Sequence, residues 1–409
     1  MRGAGDRYSV GERIAFYRVR RGQTQAVLAG LVGRSEDWLS KVERGERHVR
    51  RLDVLTEMAK ALRVSLPDLL GQPVLMEDDQ RDDDVPAVRD ALMSPRRLSR
   101  VLYMRESTTG HSPLPAAQRV ESAWGDFQDG RLSRVIAALP QLITTAAQLE
   151  DAQGATAANR RAGWAVSART HHLAATALAK IGESDLAWIA AERAMQAADE
   201  ADDPLVLASA ARSGTHALLA VGRYNEALDL GRTAASWLRA RMSADDPEAL
   251  SLVGMLDLRT AVAAAKKQDR STATELLDQA SVAADRLGRD ANFWQTGFGP
   301  TNVALHRIAA ALELGDIAFV VEHGPQVHAD HLPTERNVSH RIDLGRAMSL
   351  VARDDDALGY LLAAEERAPQ LVRHNASVRE TVKTMHRRSP ASGRSSSLMG
   401  LVERCRAIA

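Results

Sequence analysis

Apolar residues along this chain recur at intervals of three and four and almost never alternate, which predicts an all-α protein. From Ala116 to about His386 the pattern is a succession of long amphipathic helices rich in alanine and leucine. Short turns punctuate them at Gly130, Gly182, Gly222, Gln268, Gly315 and Arg353, at spacings of 52, 40, 46, 47 and 38 residues. Each turn lies between two helices. A small residue follows five positions on at Ala187, Ala227 and Ala273, where the second helix must pack closely on the first. Six such hairpins, stacked side by side, form a solenoid whose inner face is lined by the first helix of each pair.

The N-terminal pattern is shorter in period. Val10 to Arg20 reads as one helix with Ile14 and Val19 toward a core. The stretch Thr24 to Gly45, TQAVLAGLVGRSEDWLSKVERG, then holds two short helices about a glycine turn. Thr24 caps the first, whose apolar positions are Val27, Leu28 and Leu31, and Gly33 supplies the turn. Ser35 caps the second, with Glu36 and Asp37 in its first turn where the helix dipole favours negative charge. Leu39 and Val42 point inward, leaving Glu36, Asp37, Ser40 and Lys41 outward. Leu52, Leu55, Met58, Ala59 and Leu62 give a fourth helix, and Ser65 and Pro67 open a last short turn ending at Gly71. The expected core is Leu28, Leu39, Val42, Leu55, Leu62 and Leu66.

Residues 9 to 71 so arranged resemble the Xre or Cro/repressor type of helix-turn-helix, with the same length and no gap from threonine to glycine. The resemblance implies a double-stranded DNA operator as partner. It makes Gln25 a DNA-backbone contact, sets Ser35, Glu36, Asp37, Ser40 and Lys41 on the base-facing helix, and gives Arg44 and Arg47 to phosphates. It also implies a largely buried ion pair between Arg18 and Glu43. Arg34 stands where the family pattern holds an apolar residue. Acids at 36 and 37 can accept from cytosine or adenine amino groups but repel phosphate.

The hairpin punctuation resembles the tetratricopeptide repeat, especially AVGRYNEALDLGRTA at Ala220 to Ala234. A helix-turn-helix head of four to five helices followed by a tetratricopeptide-like α-solenoid resembles the bacterial RRNPP peptide-sensing regulators. What this implies is a cytoplasmic, homodimeric transcription regulator whose array binds a peptide or small-molecule ligand and so controls operator binding. The alternative is a tetratricopeptide-like interaction scaffold with a non-reading head, toward which the acidic Glu36 and Asp37 point.

On the helices expected inside, Arg169 with His172, Arg212 with His216, Asn302 with His306 and Asn337 with Arg341 stand three or four residues apart, on one helix face. Such pairs offer donors to peptide carbonyls or a carboxylate, and they equally suit a solvated face. Asn302, His306, Asn337 and Arg341 are expected to line one ligand site. The segment NFWQTGFGPTN, Asn292 to Asn302, gathers Phe293, Trp294 and Phe298 beside two glycines and a proline, as a groove wall or a packed corner.

The pattern divides the chain into a helix-turn-helix domain at 1–72, an acidic linker with a short helix at 73–115, a repeat domain at 116–388 and a flexible tail with a short capping helix at 389–409. The linker holds the charge run Glu77 to Asp84, a helix at Val85 to Met93 and a flexible stretch at Ser107 to Pro115. In the tail, Leu398, Leu401, Val402, Cys405 and Ile408 recur at helical spacing, as a cap on the array or a dimer contact. Charge sharpens the division. Residues 1–71 hold 14 Lys+Arg against 9 Asp+Glu, so a chain of zero net charge carries +5 where DNA would lie.

The one cysteine, Cys405, excludes an intramolecular disulfide and fits a reducing compartment. No run of 18 apolar residues and no signal-peptide pattern occurs, so neither membrane insertion nor secretion is expected. No phosphate-binding glycine loop, HExxH or GxSxG is present, so no catalysis and no cofactor are expected. His171 and His172 are adjacent, about 100° apart on a helix, which suits exposed or groove-lining groups and no shared metal.

Overall fold

The computed structural model describes residues 9–21, 23–49, 52–62, 64, 69, 85–95, 112–152, 155–389 and 395–407. Among them every named element is helical, with one isolated bridge pairing Ala291 with Phe298. The chain divides into two compact units, residues 1–91 and 92–409. The expected charge run Glu77 to Asp84, Leu66, Ile408 and the turn from Ser65 to Gly71, apart from Leu69, lie outside the described residues.

The first unit contains α1 (Val10–Arg20), α2 (Gln25–Leu31), α3 (Glu36–Glu43), α4 (Leu52–Leu62) and most of α5 (Val85–Leu92). Side chains satisfy the helix starts. Ser9 and Glu12 form a reciprocal capping box, Thr24 Oγ1 accepts from the Val27 amide at 3.2 Å and Ser35 Oγ from the Trp38 amide at 3.2 Å. The core is Ile14, Tyr17, Leu28, Ala29, Leu39, Val42, Met58 and Leu62. A methyl group at Gly11 would stand 1.9 Å from the Val42 carbonyl oxygen, so α1 crosses α3 at backbone contact. Three expected core positions are corrected: Val19, Val27 and Leu31 are 65%, 50% and 60% exposed. Tyr17 takes the inward position of α1. In α2 and its C-terminal cap the buried stripe is Leu28, Ala29 and Val32, one position off the expected register, which turns Val27 and Leu31 outward.

In the second unit six hairpins follow one another: α6 (Pro113–Gln128) with α7 (Leu132–Glu150), α8 (Ala157–Lys180) with α9 (Ser184–Ala201), and α10 (Pro204–Ala220) with α11 (Tyr224–Arg239). Then come α12 (Pro247–Lys266) with α13 (Arg270–Leu287), α14 (Pro300–Glu313) with α15 (Ile317–His323), and α16 (Thr334–Leu350) with α17 (Asp354–Arg367). The array begins at Pro113, earlier than expected. Ser112 caps the helix and proline suits its first position, having no amide hydrogen to satisfy.

One residue in each hairpin turn is left-handed: Gly130, Gly182, Gly222, Gln268, Gly315 and Ala352, with φ from 58° to 84°. Five positions on, Val135, Ala187, Ala227, Ala273, Val320 and Ala357 are all fully buried, which is the close packing read from the sequence. Three further helices, α18 (Pro369–Arg373), α19 (Ala376–Arg388) and α20 (Ser396–Arg404), complete the unit. α20 packs on α19, burying Leu398, Leu401, Val402 and Cys405, and Arg404 holds Glu365 through two hydrogen bonds of 2.7 and 2.6 Å.

The last hairpin returns to the first. The Ser133 amide in the first hairpin donates to Gln370 Oε1 in α18 at 2.8 Å, Lys180 Nζ at the end of α8 in the second meets Glu335 Oε1 in the last at 2.5 Å, and Ala368 lies where a Cβ on Gly130 would touch it at 2.7 Å. The inner helices therefore surround an interior.

The two left-handed turns without glycine give a stability test. Ala352 has only its methyl group there, whereas Gln268 Nε2 donates to the Glu313 carbonyl at 2.7 Å. Relief of left-handed strain is worth about 1 kcal/mol, so thermal unfolding should show Ala352→Gly stabilised by that amount and Gln268→Gly unimproved.

Candidate DNA-facing helix and array interior

Helix α3 is carried on a buried polar junction. Arg18 Nε donates to Glu43 Oε1 at 2.6 Å and Nη2 to Oε2 at 2.9 Å, with the side chains 13% and 5% exposed. This is the largely buried pair that the resemblance implied. Its hydrogen bond to Glu43 raises the Arg18 pKa. Arg18 Nη1 also reaches the Gln23 carbonyl at 2.9 Å, and Gln25 Nε2 donates to Glu43 Oε2 at 2.7 Å. One carboxylate so ties α1, α2 and α3 together, and the Gln25 amide is turned to Glu43.

Beyond that junction, Glu36 and Asp37 are exposed and Ser40 is half-buried, while the Ser35 hydroxyl serves as the helix cap. Lys41 Nζ pairs with Asp37 Oδ2 at 2.7 Å, and Arg44 Nε with Glu46 Oε1 at 2.9 Å. Arg47 is exposed. Arg34 stacks over the Trp38 ring at 5.5 Å, which accounts for a charged residue at a usually apolar position: its cation rests on an aromatic face at the surface.

Within the array, two of the expected ligand residues are engaged by the chain itself. Arg212 Nη1 donates to the Trp294 carbonyl at 3.0 Å, and Asn302 Nδ2 to the Thr296 and Gly297 carbonyls at 3.2 and 3.0 Å. The aromatic segment is thus an internal strut rather than a groove wall. Arg169 lies 5.0 Å over the Trp294 ring, Trp294 Nε1 donates to Glu248 at 2.6 Å, and Phe298 is fully buried against Gly254.

Asn302 and His306 line a cavity of about 240 Å³ with Lys180, Arg259, Arg336 and Arg346. Arg212 and His216 line a smaller void beside it, which Arg259 and Arg336 also border. Asn337 and Arg341 do not join this site, a correction to the expected four-residue cluster. Asn337 Oδ1 accepts from Arg341 at 2.8 Å and Arg367 at 3.2 Å, and its amide donates to Asp330 at 3.1 Å. The face of α16 turned to the cavity is Arg336, Ser339, His340 and Asp343; Asn337 sits one position, about 100°, away.

The sequence reading missed Arg259, Arg336, Lys180 and Glu335. Arg259 had a signal, a lone arginine midway along the largely apolar α12, two residues from Asp257. His171 is also corrected: it is fully buried, with Nδ1 2.9 Å from the Ser167 carbonyl oxygen. His172 is buried edge-on to Trp124, with Nδ1 3.1 Å from Ser209 Oγ. Among the described residues no three His, Cys, Asp or Glu side chains gather as a metal site would need, and no helix is long and apolar enough to cross a membrane.

Residues 9–70 match the helix-turn-helix domain family, so the N-terminal unit carries a helix-turn-helix domain ahead of a helical-repeat body. No curated protein matches the chain. Among solved structures it is similar to PlcR of Bacillus thuringiensis in complex with the peptide PapR7 and DNA, at 16% identity over 68% of this chain and 95% of that one, with a TM-score of 0.30. A Rap protein complexed with competence and sporulation factor is similar at 12% identity over 90% of this chain and 99% of that one, TM-score 0.40. The apo form of ComR from S. thermophilus is similar at 13% identity, over 91% and 96%, TM-score 0.21.

Removing Glu43 would strand Arg18 and Gln25. Breaking such a pair costs about 3 kcal/mol, so Glu43→Ala in the full chain should speed amide hydrogen exchange across residues 10–62 and leave the array unchanged.

The buried histidines give a second expectation. Burial presses His306 and His374 down to about 3 and His340 to about 4, and holds His172 and His216 well below their ordinary value. The unfolded chain binds these protons near the ordinary 6.5 while the fold refuses them, so stability is level above that pH and falls as pH drops below it. Each histidine steepens the fall by about 1.4 kcal/mol per pH unit. His374→Phe should flatten the fall in melting temperature between about pH 7 and pH 5 by one histidine's share.

Proposed function

We propose that the protein is a DNA-binding transcription regulator of the Xre helix-turn-helix type, acting in the cytoplasm as a homodimer, whose repeat array binds a peptide or small-molecule ligand that controls operator binding. The observation that carries this reading is the outward face of α3. It is a capped helix held rigidly on the Arg18–Glu43 junction, with Lys41, Arg44 and Arg47 at its C-terminal end and in the turn beyond. A net charge of +5 over residues 1–71 supplies modest attraction to DNA and leaves specificity to contacts on that face.

In this reading Lys41 exchanges Asp37 for a base edge, Arg44 and Arg47 meet phosphates, and the acids at 36 and 37 accept from base amino groups. An ion pair as exposed as Lys41–Asp37 contributes under about 1 kcal/mol, so the exchange is not opposed by much.

Selection of bound DNA with the purified full chain should recover a palindromic site, as two symmetry-related heads require. On that site Lys41→Ala should relax sequence preference, whereas Arg47→Ala should weaken all sequences alike and reduce the salt slope by about one. Absence of sequence-specific binding by the unaltered protein at low salt would favour the interaction scaffold.

A further inference from the structure

The array interior holds more positive charge than its own carboxylates balance. Lys180 and Arg336 share one partner, Glu335, at 2.5 and 3.3 Å. Arg212 donates to backbone carbonyls, which accept hydrogen bonds and carry no charge. Arg259, midway along α12, has no hydrogen-bond or ion-pair partner among the described residues. Across the cavity, Arg346 engages both Glu313 and Asp343, and Lys266 reaches Glu313 as well. The cavity is thus lined by Lys180, Arg259, Arg336 and Arg346 against Glu313 and Asp343, both held by Arg346, while Glu335 on the adjoining void is shared by Lys180 and Arg336, which leaves Arg259 with no carboxylate of its own. Uncompensated charge in such a place is costly, and the guanidinium fork matches a planar oxyanion through two parallel hydrogen bonds.

A second group points to the same space. Asn302 is fully buried and spends its amide nitrogen on the strut, while its Oδ1 faces no donor. His340 Nδ1, on the cavity wall from α16, also lacks a partner. Buried polar atoms left unpaired are uncommon, and an occupant of the cavity with a donor to offer would satisfy them. Burial presses the Arg259 and Arg212 guanidinium groups down to about 9, with Arg336 the next cause for each, which is the penalty a bound anion would relieve.

We propose that the 240 Å³ cavity between α8, α12, α14 and α16 binds a small oxyanion, a carboxylate or phosphate carrying an adjacent hydrogen-bond donor. Arg259 grips the oxyanion, with Arg336 and Lys180 beside it, and Asn302 Oδ1 accepts from the donor. The volume lies below the 300–1,000 Å³ usual for drug-sized ligands. The donors that would hold an extended peptide along the inner face, Arg212 and the Asn302 amide, already hold residues 294–297. A small ion therefore suits the site better than a peptide of several residues. That the anion is the controlling ligand rests on the regulatory reading above; its binding does not.

The test uses the full chain with inorganic phosphate, succinate and malate, each against chloride at equal ionic strength. Calorimetry and thermal shift should show phosphate or the dicarboxylates binding and stabilising. Malate, with its hydroxyl beside a carboxylate, should bind more tightly than succinate, and a preference for phosphate over both would identify a phosphate source. Arg259→Gln should weaken binding at least roughly tenfold. Arg259→Lys keeps the charge, lacks the fork, and should fall between, which serves if the glutamine variant fails to fold. No anion effect beyond chloride, or unchanged affinity in these variants, overturns the site. Gel shifts on a selected DNA site separate the two readings. Anion binding without effect on DNA affinity keeps the site and removes its controlling role, and DNA binding without anion binding does the reverse.

Discussion

The donation of Arg212 and Asn302 to the carbonyl oxygens of residues 294–297 is the contact on which the array depends. Trp294 and Gln295 both lie in the left-handed region, at φ 53° and 51°, a backbone costing roughly 1–2 kcal/mol per residue. Such a turn persists only where its surroundings over-determine it. Here Arg169 stacks on the indole and hydrogen-bonds Gln295, Glu248 takes the indole N–H, and Glu121 takes the Gln295 amide. Those partners come from α6, α8, α10, α12 and α14. One short segment thereby bridges five inner helices, which also pack directly on their neighbours in the array.

The same economy governs the smaller unit. Its helices are too short to be stable alone, and three of them meet at the Glu43 carboxylate. Because that junction is a forked pair of hydrogen bonds, it fixes direction as well as distance, and it presents the outward face of α3 in one orientation. The Arg34–Trp38 stack adds a second restraint at the helix start. Under the proposed function that rigidity matters, since hydrogen bonds to base edges tolerate little displacement.

Much of this was legible in the sequence because hairpin turns leave local marks. The left-handed residue and the buried one five positions later lie within a single stretch of chain, so turns without glycine are still legible, at Gln268 and at Arg353, one residue past the left-handed Ala352. Face register was less legible. Val27 and Leu31 are apolar yet outward, and Asn337 is polar yet buried and hydrogen-bonded, because the choice of face is made by tertiary partners: the shared core with Tyr17 and Leu39 in one case, Asp330 and Arg367 in the other. Arg259 escaped notice for the opposite reason. Pattern reading searches for paired polar groups, and this one matters by having no pair.

The meeting of the first and last hairpins gives the array a different mechanical character from an open superhelix. An open solenoid behaves as a spring, whose pitch varies continuously and shares strain among all its repeats. Here Ser133–Gln370 joins the first hairpin to the helix that follows the last, and Lys180–Glu335 joins the second hairpin to the last, so the coil cannot stretch while these contacts hold. The two contacts act as a latch on the coil. The ion pair that closes the latch stands on the rim of the positively charged cavity, so whatever enters there competes directly with the fastening.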